Sequence, residues 1–568
     1  MQGEDLVQNS SDTCNELHQI LSFCRHVAGS APITAISILG EYPTGKSEAK
    51  TALEVVLVIR DFQPRLMSYV KNVNRRIVFV FAVDQWIFER DVERGFLGEA
   101  LAGSLIFPYT ALYGKDYLYA QEITLKKRLI LELLENLVQT FPELSYSIHI
   151  KPEYFVYEVM LNRIRIFPPL AYSLSKYING IPKKESEFIL YSYMEVLKQL
   201  EKEKKIIFSD NYVKLHKKFV AESKNPKVRL ANISKSAPRA LFTSVFSVLP
   251  QLLNFLSQNT EVLLNFQKFA INRESDLQQR FIDSQKYIFV PTAQGLVSLA
   301  DKVDVNTFVQ KMLFNGKKAD ITFERVGGVL NDVYLLKACS DGVEKKVIVK
   351  RFKDWSGFKW FPLALWSFGA RSFVVLGRSR LEGECAISER LRCEGFNVPK
   401  ILHVNHNERL VFMEYIEGEN LSNAIKRIAA SENIEKDLAK IMAVGEIFAR
   451  VHSLDITLGD TKPENIISSI DGRIYLLDFE QASHGGDKAW DVAEFLYYAG
   501  HYLPPLYSNG KAEAIAKAFI NGYLNGGGNS GVIKKAGTSK YTRVFSVFTL
   551  PSILLAMSQV CRKTEALR

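Results

Sequence analysis

The sequence predicts a multidomain α+β protein, and three observations carry that prediction. At 568 residues the chain is longer than one hydrophobic core supports, so two to four domains are expected. Near the N-terminus, EVVLVI (Glu54–Ile59) and IVFVFAVD (Ile77–Asp84) are short apolar runs of the kind that form buried strands. From about Asp320 onward, strand- and helix-like segments alternate around short polar motifs in a fixed order. The expected layout is an α/β domain over 28–150, helices ending in a hairpin over 151–220, a helical connector over 221–318 and a two-lobed domain over 319–568.

Hydrophobic residues at 47% and charged residues at 24% are ordinary globular values, which excludes a disordered or fibrous chain. The six cysteines (Cys14, Cys24, Cys339, Cys385, Cys393, Cys561) show no C-x-x-C pair and no metal-ligand spacing, as expected of buried thiols in a reducing compartment. MQGEDLVQNSSDTCNE is polar and acidic, unlike a secretory signal. The apolar stretches Ala240–Leu256 and Trp360–Ala370 are interrupted or short of the roughly 20 apolar residues that a spanning helix needs. A cytoplasmic protein is expected, with these stretches forming core or partner-facing helices instead of resting on a membrane.

In the first domain, GEYPTGKS (Gly40–Ser47) fits the phosphate-loop pattern G-x4-G-K-[ST]. Only Glu48–Leu53 separates it from the strand that follows, too few residues for the helix whose N-terminus faces the phosphates. Asp84, at the end of IVFVFAVD, could imitate a magnesium-holding strand end. The same letters resemble the glycine turn of polymerase-β-type nucleotidyltransferases, with Gly40, Tyr42 and Gly45 in the turn and Glu54-Val55-Val56 where that family carries Asp-x-Asp. Glu41 replaces the serine and Val56 removes one carboxylate, leaving Glu54 and Asp84. Two-metal chemistry needs closely grouped carboxylates, so the resemblance implies a degenerate nucleotidyltransferase-like domain.

In the second segment, Phe188, Ile189, Tyr191, Met194, Leu197 and Leu200 are spaced as one helical face. KKIIFS, a turn at Asp210-Asn211 and YVKLHKKF then read as a hairpin, and helices followed by a hairpin resemble a winged helix-turn-helix. Residues 183–239 hold 14 Lys and Arg against 7 Asp and Glu, so nucleic acid would be met here, through Lys198, Lys202, Lys204, Lys205, Lys214, Lys217 and Lys218. A solvated surface or a protein-docking module fits the same residues. The connector carries no recognisable chemistry.

In the last domain, RVGGVLNDVY approximates a glycine-rich nucleotide turn: Gly328 and Val333 match, Val326 replaces the first glycine, and Asn331 stands for the third because Asn tolerates positive φ. KKVIVKRF places Lys350 at a strand end, where a lysine can neutralise phosphates once a carboxylate holds it. In the helix-like RLEGECAISERL, Glu384 is the first candidate for that carboxylate, with Glu382 and Glu389 behind it. Asp460-Thr461-Lys462-Pro463-Glu464-Asn465 resembles the D-L-K-P-E-N catalytic loop of serine/threonine kinases, and the strand IYLLD delivers Asp478 thirteen residues later. The resemblance implies a two-lobed protein-kinase-like fold using ATP and magnesium, with manganese as a substitute. Asp460 would orient the attacking hydroxyl and take its proton, Lys462 would meet the γ-phosphoryl group, and Asn465 and Asp478 would hold the metal.

Glu480 replaces the glycine of Asp-Phe-Gly, which disfavours the backbone flip of regulated kinases. Asp491 follows Asp478 by only thirteen residues, leaving no room for an ordinary activation loop. This compactness resembles atypical kinases: the RIO family, the small kinase of the KEOPS tRNA-modifying complex, which carries an Asp-Lys-Ala-x-Asp stretch like Asp487–Asp491, and choline and aminoglycoside kinases. Asp491 is expected to bond the catalytic-loop backbone. The sequence thus predicts an atypical serine/threonine protein kinase acting on a protein. The alternatives are a small-molecule kinase and an ATP-binding scaffold or ATPase switch.

Overall fold

The computed structural model describes residues 4–39, 53–63, 65–73, 76–96, 99, 101–166, 183–224, 283–327, 331–354, 374, 376–431, 433–504 and 509–564. The GEYPTGKS motif, Gly328, most of the connector and both long apolar stretches lie outside them. The chain is a mixed α/β protein of two compact units, residues 1–140 with 150–287, and 141–149 with 288–568.

In the first unit, strands β1 (Ile33–Leu39), β2 (Leu53–Ile59), β3 (Leu66–Val73), β4 (Arg76–Asp84) and β5 (Tyr109–Tyr113) form a sheet of order β3-β4-β2-β1-β5. Helix α1 (Glu4–Ala28) covers one face through Ile20, Cys24 and Ala28. Strands β1 and β2 are antiparallel neighbours, with Leu39 opposite Glu54, whereas a phosphate-loop unit crosses over to a parallel strand. The pairing of β2 with β4 is parallel, with Glu54 opposite Phe79 and Asp84 opposite Ile59. Glu54 and Asp84 are therefore five ladder positions apart, roughly 17 Å at about 3.3 Å per residue. They cannot share an ion. Asp84 instead caps helix α2 (Gln85–Arg94), accepting from Trp86 N (3.1 Å) and Phe62 N (3.0 Å).

Helix α3 (Lys115–Thr140) packs on helix α4 (Glu153–Ile166) and helix α5 (Lys183–Lys202). Within α5, Ile189, Tyr193, Val196, Leu197 and Leu200 are buried, while Tyr191 is 67% exposed. Two residues beyond Ile189 a helix has turned through roughly 200°, which takes Tyr191 off the predicted face. Strands β6 (Ile206–Ser209) and β7 (Tyr212–Leu215) then form a hairpin whose turn residues have positive φ, 48° at Asp210 and 66° at Asn211.

The second unit begins its main sheet with β8 (Asp320–Gly327), β9 (Asp332–Ser340) and β10 (Val343–Arg351). Helix α6 (Gly377–Cys393), β11 (Ile401–Asn405) and β12 (Leu410–Glu414) follow, and the antiparallel order is β8-β9-β10-β12-β11. The second lobe is helical: α7 (Leu421–Ala430), α8 (Glu435–Ser453), α9 (Lys488–His501), α10 (Asn509–Asn525) and α11 (Pro551–Lys563). Its core joins Phe448, Phe495 and Phe519. Helices α8 and α10 touch through glycines: a Cβ on Gly522 would stand 1.8 Å from Met442 O, and one on Gly445 2.1 Å from Phe519 O. Among the described residues no helix is long and apolar enough to cross a membrane.

Candidate active site

Strand β10 ends at the lobe junction, so its last residues turn inward, and Lys350 is only 5% exposed. Its ammonium meets three carboxylates: Asp478 Oδ1 at 2.6 Å, Glu384 Oε2 at 3.0 Å and Glu480 Oε2 at 3.3 Å. Burial pulls this lysine down, but Asp478, Glu384 and Glu480 outweigh it and hold the ammonium well above its usual pKa. Glu384 projects from α6 and also accepts Phe479 N (3.1 Å). Burial raises its carboxyl, and Lys350 opposes the shift. The other two candidates face elsewhere on the helix. Glu382 meets His406 (3.6 Å) and Arg378 (3.3 Å), and Glu389 pairs with Arg392 at 2.7 Å.

Asp460 and Lys462 form an ion pair at 3.0 Å. Lys462 also lies over the Tyr498 ring (5.4 Å), and Asp460 and Glu494 outweigh burial to keep it charged. Asn465 donates its side-chain amide to Asp460 O (3.1 Å), so its side-chain oxygen is turned to the other side, where it could hold a cation. Its own carbonyl accepts Leu477 N (2.8 Å), tying the catalytic loop to the residue before Asp478. Asp478 takes φ 61°, a left-handed conformation that a non-glycine residue holds only when its surroundings enforce it. The donor set suits a hard divalent cation shared with phosphate oxygens. Among the described residues there is no group of three or more metal-ligating side chains that would form a dedicated cage.

The loop is held from below by α9. Asp491, fully buried, accepts Leu458 N (2.7 Å), Gly459 N (2.8 Å) and a contact from His452 Nε2 (3.1 Å). Glu494 accepts Thr461 N (2.9 Å) and Trp490 Nε1 (3.1 Å). The expected role of Asp491 is thus visible as direct bonds, whereas Glu494 and His452 carried no sequence signal. Nor did Arg380, fully buried on α6 and bonded to Glu480 Oε1 at 3.1 Å. Asn331 donates its side-chain amide to Glu480, a use that tolerance of positive φ did not anticipate.

Residues 141–149 also belong to this unit. Phe141 lies under the Arg378 guanidinium (4.8 Å) and against the His406 ring (5.8 Å), at the back of α6. Glu143 accepts His484 N (3.2 Å) and contacts its ring Nδ1 (2.8 Å), while Tyr146 stacks on the same ring at 4.0 Å.

Comparison with known proteins adds the family. The sequence model of the Lipopolysaccharide kinase (Kdo/WaaP) family matches residues 346–496, which span Lys350, Glu384, Asp460 and Asp478. KEOPS complex subunit Bud32 of Pyrococcus abyssi is 31% identical over 106 residues, 19% of this chain and 46% of the relative. The probable serine/threonine-protein kinase BUD32 homolog of Archaeoglobus fulgidus is 32% identical over 158 residues, 28% of this chain and 72% of the relative. EKC/KEOPS complex subunit BUD32 of Debaryomyces hansenii is 28% identical over 132 residues, 20% of this chain and 49% of the relative. The chain thus spans about half the length of two of these relatives and nearly three quarters of the third. Through its C-terminal unit, this chain belongs to the Bud32 family of atypical protein kinases.

Proposed function

We propose that the C-terminal unit is an ATP-dependent phosphotransferase that moves the γ-phosphate to a hydroxyl, with a serine or threonine side chain of a protein as the acceptor. The observation that carries this reading is the meeting of Lys350, Glu384 and Asp478 at one lobe junction, together with the Asp460–Lys462 pair on the loop. Lys350, kept charged, binds the phosphates. Asp460 orients the acceptor hydroxyl and takes its proton as the new oxygen–phosphorus bond forms and the bond from the γ-phosphorus to the β-phosphate oxygen breaks, releasing ADP. Lys462 lends its charge to the transferring group, and Asp491 and Glu494 fix the loop that carries both. Asn465 and Asp478 would hold a magnesium or manganese ion, whose charge offsets that of the bridging phosphates. Gly328 would cover the nucleotide.

The description of the matching family, a lipopolysaccharide kinase, favours a second reading in which the acceptor is a small molecule or glycan. The naming of two relatives as KEOPS complex subunits favours a third, an ATP-driven switch within a complex. We read the first unit as a degenerate nucleotidyltransferase-like domain, since Val56 stands where a second carboxylate is needed and the strand register separates Glu54 from Asp84, followed by a winged-helix-like segment. That segment would contact nucleic acid through Lys198, Lys202, Lys204, Lys214, Lys217 and Lys218. Lys205 is engaged over the Phe219 ring at 5.4 Å.

The test is incubation with γ-labelled ATP and magnesium, with and without cell extract, beside an Asp460→Asn variant. Label on protein that vanishes in the variant supports the proposal. Label on a small molecule, or free phosphate alone, supports the second or third reading, and labelling that survives Asp460→Asn overturns the catalytic assignment.

A further inference from the structure

Glu480 occupies the position where regulated kinases keep a glycine, and its carboxylate is 5% exposed. It gathers three partners from three elements. Arg380 Nη1 reaches it from α6 at 3.1 Å, Lys350 Nζ from β10 at 3.3 Å, and the Asn331 amide from the turn before β9. Arg380 has no accessible surface, and its other terminal nitrogen donates to Lys353 O, just beyond β10. One helical turn after Arg380, Glu384 holds Lys350 and the Phe479 backbone. Two bridges therefore join α6 to the Asp478–Glu480 segment: Glu384 to Phe479 N, and Arg380 to Glu480.

We propose that Arg380 and Glu480 are a positioning pair that locks α6 against the strand end bearing Asp478, so that the phosphate-binding site is assembled without an activating event. Swinging α6 outward would separate a buried guanidinium from a buried carboxylate, an outcome more costly than parting two surface charges. It would also strip Lys350 of Glu384, one of its three carboxylates. A glycine at position 480 would leave the helix with only the Glu384 bridge and restore backbone freedom next to Asp478. The sequence carries no ordinary activation loop between Asp478 and Asp491, and this pair supplies the ordering such a loop would otherwise provide. The inference rests on the kinase reading of the site.

The experiment compares the full chain with Glu480→Gln, Glu480→Gly, Arg380→Gln and the double variant Arg380→Gln/Glu480→Gln. It measures equilibrium binding of magnesium-ATP and hydrogen exchange of 377–393, with 488–501 as an internal reference. In the wild type the two helices are expected to exchange comparably slowly. Glu480→Gln and Glu480→Gly are expected to speed exchange of 377–393 at least tenfold, leave 488–501 unchanged and weaken ATP binding tenfold or more. Adding Arg380→Gln to Glu480→Gln should add less than twofold, because the two act as one device. Should a single variant fail to fold, the apolar replacement Arg380→Met/Glu480→Met removes both charges together and is expected to fold, with 377–393 still loosened. Unchanged exchange and affinity, or equal loosening of both helices, would overturn the proposal and leave the pair a plain structural contact. A wild-type protein that binds no ATP would instead sink the kinase reading on which it rests.

Discussion

Replacing Asp491 with asparagine keeps the side-chain shape while removing the charge and one acceptor. In the native protein its two oxygens serve Leu458 N (2.7 Å), Gly459 N (2.8 Å) and His452 Nε2 (3.1 Å) in a site with no exposed surface. An asparagine oxygen can satisfy one backbone donor, and its amide nitrogen must then face the other, donor against donor. The loss combines one hydrogen bond to a charged acceptor, ~1.5–3 kcal/mol, with a buried unpaired N–H, ~1–3 kcal/mol. These overlap, so a destabilisation of about 2–4 kcal/mol is expected. Asp460 directly follows Gly459, so the disturbed backbone also displaces the proposed proton acceptor, and a misplacement near 1 Å costs roughly 100-fold in kcat. The proposed phosphate-binding lysine, Lys350, lies on another element, so ATP affinity should change by less than about threefold. The assay is calorimetric unfolding of the full chain, following the transition that ATP raises, together with ATP turnover. A stability change below ~0.5 kcal/mol with kcat unaltered would refute the view that Asp491 supports the loop.

Three further outcomes follow from the packing and charges of the second unit. Gly522→Ala pushes a methyl to 1.8 Å from Met442 O, so α8 and α10 must part, and destabilisation of ~1–3 kcal/mol or more is expected by denaturant titration; a neutral result would contradict the close helix contact. Phe141→Ala removes a buried ring from between Arg378 and His406 and should lower the ATP-sensitive transition by ~3–5 kcal/mol; a change confined to the other transition would place 141–149 in the wrong unit. Arg427 and Lys440 hold the Glu419 carboxyl at about 2, below its ordinary 4.5. Its stabilising contribution is thus present above pH 4.5 and lost as pH falls toward 2, so Glu419→Gln should flatten the acid limb of the stability–pH curve, and an unchanged limb would argue against the pairing.

What the sequence made legible was local. Asp460 to Asn465 is contiguous, so its residue order alone announced a kinase-like loop, in which Lys462 pairs with Asp460 and the Asn465 amide bonds Asp460 O. The Asp210-Asn211 turn was readable because only a few residue types accept two successive positive φ values. Glu384 could be preferred over Glu382 and Glu389 but not separated from them, since helix rotation relative to Lys350 is a tertiary quantity. Arg380 and Glu480 are 100 positions apart, and neither breaks a periodic pattern, so nothing local marks them as a pair. Glu143 and His484 lie 341 positions apart for the same reason. In the first unit, Glu54 and Asp84 were the carboxylates left to the nucleotidyltransferase-like pattern, and the parallel register separates them.

On the proposed reading, nucleotide is bound at Lys350 in the C-terminal unit and not at the phosphate-loop-like letters near the N-terminus. Equilibrium titration of magnesium-ATP against the wild type, Lys350→Ala and Lys46→Ala tests it most directly. Loss of the charged contacts of Lys350 is expected to weaken binding by about 10–100-fold, while Lys46→Ala leaves it unchanged. Binding that survives Lys350→Ala and disappears in Lys46→Ala would place the nucleotide at the N-terminal motif instead.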